Sequence, residues 1–226
     1  GGAARPAPQS PMSPYPSPRL LAAGSAQVEH VASLPAALHA GPAAAAAAYL
    51  GGLCASLGSA YTAPHAAAFA VATAVGGDRV AFTNSGWSFS REDTRRALGL
   101  QDLLLLNDFE ALALSLPRLS PAQLSAVGPA AAPAGRLALA VIGPGTGLGV
   151  AGIVPSASGW VAVPGEGGHA TLSAADDDDA ALLAAVRRMH PHVSAERLLS
   201  GIGLPLLHAA RSSTATRCAS RPCRRS

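Results

Sequence analysis

The chain has 226 residues and a net charge of +3, and all 16 of its basic residues are arginine. Five of them (Arg211, Arg217, Arg221, Arg224, Arg225) fall in the last 16 residues, which hold no acid; residues 1–210 therefore carry eleven arginines against thirteen acids, a balance of −2. That body has no electrostatic footprint for nucleic acid. Three cysteines without a C-x-x-C pair give no disulfide framework, which favours a reduced, cytoplasmic setting. No basic-then-apolar leader is read at the N-terminus, and the longest apolar run, residues 43–50, is too short to span a bilayer.

Residues 1–19 contain six prolines with serines between them, and this predicts an extended or disordered segment. Residues 34–60 are alanine-rich, with Leu34, Leu38, Leu50 and Leu53 at roughly helical intervals. They predict one or two helices broken at Gly41-Pro42 and Gly51-Gly52. From position 68 an apolar run ends in Gly76-Gly77-Asp78 and is followed by Val80-Ala81-Phe82-Thr83, which reads as strand, tight turn, strand. Ser90 then opens a helix as N-cap, with Asp93 as a short-armed capping-box partner. Residues 103–106 read as a buried strand ending at Asn107-Asp108, and residues 112–116 are expected to begin the next helical stretch. Residues 137–142 predict another strand, and 150–154 with 160–163 a hairpin pair. Strands alternating with helices make this an α/β chain. After Leu207 the apolar periodicity is lost, and residues 208–226 are expected to be a basic, disordered tail.

The residues able to do chemistry lie between these elements. Asp108, just past a buried strand, stands at the strand end where α/β sheets bind ligands. It could accept the proton of a hydroxyl under phosphorylation, with Asn107 hydrogen-bonding a neighbouring hydroxyl. An Asn-Asp turn with no chemistry is the alternative. The loop Gly143-Pro144-Gly145-Thr146-Gly147-Leu148-Gly149 has four glycines in seven residues, which lets backbone N–H groups converge on anionic oxygens. A dinucleotide-binding fold would place a helix directly after it, whereas Val150-Ala151-Gly152-Ile153-Val154 reads as a strand. In Pro164-Gly165-Glu166-Gly167-Gly168-His169, Glu166 and His169 stand amid small residues; ligand binding, a plain turn and a zinc site are the three readings, and no further zinc ligands appear at a recognisable spacing. Ser194 is expected to cap a helix with Glu196 in its first turn. The four acids at 176–179 read as a solvated helix entry.

In order and spacing, five motifs resemble bacterial glucokinase of the non-ROK type: Thr83-Asn84-Ser85-Gly86-Trp87-Ser88-Phe89-Ser90, Leu106-Asn107-Asp108-Phe109, the 143–149 glycine loop, the 164–169 loop and Ser194-Ala195-Glu196-Arg197-Leu198-Leu199-Ser200-Gly201. The resemblance covers about residues 70–207. It implies an actin-like, ribonuclease-H-like α/β fold of two domains closing over sugar and ATP. Here the small domain would be residues 20–108 and the first part of the large domain 109–207. It further implies phosphorylation of glucose by ATP with magnesium. Asp108 would be the catalytic base, and Asn107, Gly147, Glu166, His169 and Glu196 would bind the sugar. Gly145, Thr146 and Gly147 would face the ATP phosphates, and Thr83-Asn84 would lie under the sugar. Glucose and ATP are the ligands it implies, with neither nucleic acid nor membrane, and a homodimer is an assembly it allows.

The family pattern opens with a strand and a D-x-G-G-T-N-x-R phosphate loop, of which only Gly1-Gly2-Ala3-Ala4-Arg5 keeps a trace. Beyond Leu207 the family continues with helices and a second glycine loop. The resemblance therefore implies a chain incomplete at both ends, from a shifted frame or misplaced termini, and little or no turnover without the aspartate that helps place magnesium. A non-catalytic hexose-binding remnant and a dinucleotide-binding module built on loop 143–149 are the alternatives.

Overall fold

The structure is a computed structural model that describes residues 28–82, 86–128, 135–157 and 159–219. The Pro/Ser-rich segment 1–19, Thr83-Asn84 and the last residues of the basic tail lie outside the described residues. The chain divides into two compact units between Leu106 and Asn107, against an expected division after Asp108.

In the first unit, helix α1 (Pro42–Leu57) runs without interruption through Gly51-Gly52, contrary to the break expected there. Each glycine costs about 1 kcal/mol against alanine in a helix interior, but six consecutive alanines at positions 43–48 precede them. Pro42 takes the first helical position, where its missing N–H costs nothing. Gly58 (φ +54°) ends the helix, its N–H donating to the Cys54 carbonyl. Among the described residues, Pro42–Ala60 is the one helical stretch long and apolar enough by composition to cross a membrane, with mean hydropathy 1.3. This stretch extends beyond the apolar run of residues 43–50 at both ends. Its apolarity is largely alanine, and Ala46 packs against the core of this unit.

Strand β1 (Ala66–Val71) pairs with β4 (Asp102–Asn107), whereas β2 (Arg79–Ala81) pairs antiparallel with β3 (Ser88–Ser90). The expected hairpin of residues 68–83 is thus not formed. The Gln101 N–H donates to the His65 carbonyl at 2.7 Å, so β1 and β4 start side by side, a pairing between segments far apart in sequence. Leu103 and Leu105 of β4 are buried with Phe69, Val71, Val80, Phe89 and Leu100. Leu104 points out and is 53% exposed, so β4 is buried on one face and not on both. Ser90 caps α2 (Arg91–Ala97) through the Asp93 N–H at 3.1 Å. The second half of this cap comes from Asp78, whose carboxylate accepts from the Glu92 N–H at 2.9 Å. Bonds from the Ser90 hydroxyl and from that N–H hold the Asp78 carboxyl below its ordinary pKa. Replacing Ser90 by Ala is expected to cost about 1 kcal/mol, read as a shift in the urea midpoint with unchanged slope.

The second unit opens with α3 (Asp108–Ser115), which covers one face of an antiparallel three-stranded sheet ordered β5 (Leu139–Pro144), β6 (Leu148–Ser156) and β7 (Gly159–Val163). Its centre is Ala113, Ala151 and Ile153, flanked by Phe109, Leu139, Val141 and Trp160. The remainder packs α4 (Asp177–Arg187), α5 (Ala195–Leu198) and α6 (Leu204–Ala219) around Leu183, Val186, Val193, Leu198 and Ala210. Asp176 caps α4, and the acids at 177–179 fill its first turn, where the helix dipole favours them. The disordered tail expected from residue 208 is corrected as far as Ala219, because the chain continues as α6. Leu206, Leu207 and Ala210 turn one face of that helix onto the cluster.

Candidate active site

Asn107 is the last residue of β4 and the N-cap of α3; its side-chain oxygen accepts from the Phe109 N–H at 2.9 Å. Glu110 completes a capping box by accepting from the Asn107 N–H at 2.9 Å. The Asn-Asp pair is therefore a helix start with both of its side chains fixed. Asp108 is half-buried and also accepts from the Phe109 N–H, at 3.0 Å. Burial raises its pKa above the ordinary value of 3.8, outweighing the Phe109 N–H and Asn107 side-chain bonds that lower it. A carboxylate held in place with its proton affinity raised is suited to general-base work.

The glycine loop is a strand–turn–strand, as expected: Gly143 pairs with Gly149 and Pro144 with Leu148, leaving Gly145-Thr146-Gly147 as the turn. A strand follows it and no helix does, which removes the dinucleotide-binding alternative. The turn is tied down twice. The Gly145 N–H donates to the Gly147 carbonyl at 2.8 Å, and the Gly145 carbonyl accepts from the Gly201 N–H at 2.8 Å.

Glu196 sits in the first turn of α5, behind the Ser194 cap. Its carboxylate reaches 48 residues back in sequence to accept from the Leu148 N–H at 2.8 Å. A methyl group on Gly147 would overlap that carboxylate, so Glu196 would have to swing off the Leu148 N–H to admit one. On its other side Glu196 faces His169 Nδ1 at 3.6 Å, and His169 Nε2 faces Glu166 at 3.7 Å. His169 and Glu166 are 61% and 78% exposed, so both present their polar atoms outward. The 164–169 loop is nevertheless tightly packed beneath them, Gly167 against the Val150 side chain and Gly168 against the Leu148 backbone. This is more local packing than its small residues promise. The Thr171–Ser194 bridge and the bond from the Ala195 N–H to the Ala170 carbonyl hold the loop against α5.

Gly147, Glu196, His169 and Glu166 thus form one contiguous set around the glycine turn. Asn107 and Asp108 join the turn's hairpin through Phe109, whose ring lies on Gly143 and Gly149. Neither that ring contact nor the Gly201 bond to the turn has a local sequence signal, since each joins segments distant in the chain. Among the described residues no group of three or more His, Cys, Asp or Glu is placed to hold a metal ion. An apolar cavity of about 280 Å³ in the first unit, between α1 and β1, contains none of the candidate residues. Replacing Glu196 by Ala is expected to cost about 1.5–3 kcal/mol, the worth of a hydrogen bond to a charged group, and calorimetric unfolding would read it.

A family model for glucokinase matches residues 19–223. The chain belongs to the glucokinase family. It is 52% identical over 149 residues to a glucokinase of Paramagnetospirillum magneticum, covering 66% of this chain and 46% of the relative. It is 54% identical over 144 residues to one of Chromobacterium violaceum, covering 64% and 41%. The chain therefore spans less than half the length of these relatives. The crystal structure of a glucokinase from an Antarctic psychrotroph superposes with a TM-score of 0.75 at 33% identity, covering 84% of this chain and 57% of that one. The glucokinase of Balamuthia mandrillaris shares the fold, with a TM-score of 0.51 at 19% identity. The architecture is the α/β fold of the glucokinases, as the motifs implied.

Proposed function

We propose that this chain works as a glucokinase, transferring the γ-phosphoryl group of magnesium-bound ATP to the 6-hydroxyl of glucose. The observation that carries the reading is Asp108, a half-buried carboxylate of raised pKa, fixed at a helix start that packs on a glycine turn. In the step proposed, the sugar 6-oxygen forms the new bond to the γ-phosphorus. Its proton passes to the Asp108 carboxylate, the bond from that phosphorus to the bridging oxygen breaks, and ADP leaves. Asn107, Gly147, Glu166, His169 and Glu196 are assigned to the remaining hydroxyls of the sugar. In the Gly145-Thr146-Gly147 turn the Gly145 N–H is already used within the protein, so Thr146 and Gly147 are the donors assigned to the phosphates.

Magnesium enters this scheme as part of the nucleotide substrate. The ion keeps near-ideal octahedral geometry and is ordinarily bound by one or two carboxylates plus phosphates. No dedicated protein cage is found among the described residues. The cytoplasm is the compartment this reaction fits. A homodimer is the assembly proposed, for gel filtration to check.

The test is the formation of glucose 6-phosphate by the purified chain with glucose and magnesium-ATP, read beside the thermal shift produced by glucose alone. Product formation with a raised Tm is expected, against the near-absent turnover that the missing phosphate-loop aspartate implied, because Asp108, the glycine turn and the Glu196 set are held together in one unit. A raised Tm without product would reduce the chain to a hexose-binding remnant, and the absence of both signals would overturn the reading.

A further inference from the structure

Phe109 directly follows Asp108, and its ring lies over the glycine rung that leads into the 145–147 turn. A Cβ on Gly143 would come within 2.8 Å of the ring, and one on Gly149 would overlap it. The two glycines stand opposite each other in the ladder. The ring therefore rests on bare backbone, at a closeness that facing glycines allow. At the other end of the residue, the Phe109 N–H is shared between Asn107 Oδ1 at 2.9 Å and Asp108 Oδ1 at 3.0 Å. One turn further along α3, Ala113 is fully buried with Ala151 and Ile153 of β6, so the helix cannot pivot freely about the ring.

We infer that Phe109 is a positioning residue that sets the separation between the Asp108 carboxylate and the Gly145-Thr146-Gly147 turn, a role that rests on the functional reading above. One residue holds the base by its backbone and the turn's hairpin by its ring. A flat aromatic ring has few rotatable bonds and makes a stiff spacer in a close-packed interior. Bringing an acceptor oxygen and a phosphoryl group to attack distance depends on such spacing. A misplacement of about 1 Å can cost on the order of 10²-fold in rate. Glycine at 143 and 149 then has a purpose besides phosphate approach: it lets the spacer come down onto the strands.

The experiment compares Phe109→Leu and Phe109→Met with the wild-type chain. Methionine is included because its flexible thioether fills irregular space and limits the loss of stability. kcat is expected to fall by roughly 30- to 100-fold in both variants while KM for glucose and for ATP moves less than about threefold. Amide exchange at Gly145 and Leu148 is expected to quicken by about tenfold, with Ile153 keeping its protection. Unchanged kcat and unchanged amide rates in folded variants would overturn the inference. So would a raised KM with kcat intact, or a loss that merely follows the unfolded fraction. A wild-type chain that neither bound glucose nor turned over would instead sink the functional reading, and the amide rates would still decide whether Phe109 holds the turn.

Discussion

Replacing Asp108 by Asn is expected to lower turnover by about 10²- to 10⁴-fold, the range supplied by a positioned general base, and to raise the stability of the chain at neutral pH. The two effects have one cause. Burial makes the ionised Asp108 unfavourable and raises its pKa in the folded chain above 3.8. Between the unfolded value and that raised value the folded chain binds more protons than the unfolded one, so the wild type loses stability as pH rises through this window. Above the folded pKa the cost of the buried charge is complete, and below 3.8 it is gone. The Asn variant carries no such cost. Its side-chain oxygen can still accept from the Phe109 N–H that now bonds Asp108. Its advantage in Tm should therefore be full at pH 7 and should vanish as pH falls below about 4. The wild-type kcat/KM should fall on the acid side with an apparent pKa above the ordinary aspartate value. A variant both inactive and less stable at pH 7 would show that Asp108 holds the fold, and the assignment as base would lose its support.

What the sequence disclosed and what it withheld divide along the range of the contacts. The β5–turn–β6–β7 meander was legible because β-branched runs and glycines at fixed positions encode local hairpins. The caps at Ser90 and Ser194 were legible for the same reason, since each bonds an N–H three residues on. The pairing of β1 with β4 was not, because nothing in residues 66–71 marks a partner more than thirty positions away. The continuation of α6 past Leu207 was hidden too: only Ala210, set against the Leu183–Val193 cluster, shows that the helix has a buried side there. In the candidate site, the motifs named Gly147, Glu166, His169 and Glu196, which the fold brings around one turn. They gave no sign that Glu196 reaches the Leu148 N–H or that the Phe109 ring lies on two glycines. Those contacts join segments that only the fold brings together.

The largest stability effect is expected at Gly168, where Ala should destabilise the chain by about 3 kcal/mol, the upper end of the usual cost of overpacking. The added methyl group would overlap the carbonyl of Leu148. That obstacle is backbone and cannot swing away as a flexible side chain would. Leu148 is also where Glu196 bonds the chain and where β6 leaves the turn. Relief by moving Leu148 would therefore break the Glu196 bond, and relief by moving the 164–169 loop would pull His169 away from Glu196. Either route couples a surface-loop substitution to the residues proposed for the sugar. Gly165, in the same loop, supplies the control: a methyl there would meet the Val150 carbonyl oxygen at 3.7 Å, an ordinary contact. Gly165→Ala should change stability by no more than about 0.5 kcal/mol. Chemical denaturation of the two variants checks the contrast, and equal midpoints would show that the loop can withdraw from β6 at little cost. In that case Glu166 and His169 would not be held at fixed distances from Glu196, and their assignment to the sugar would need a loop that orders on binding.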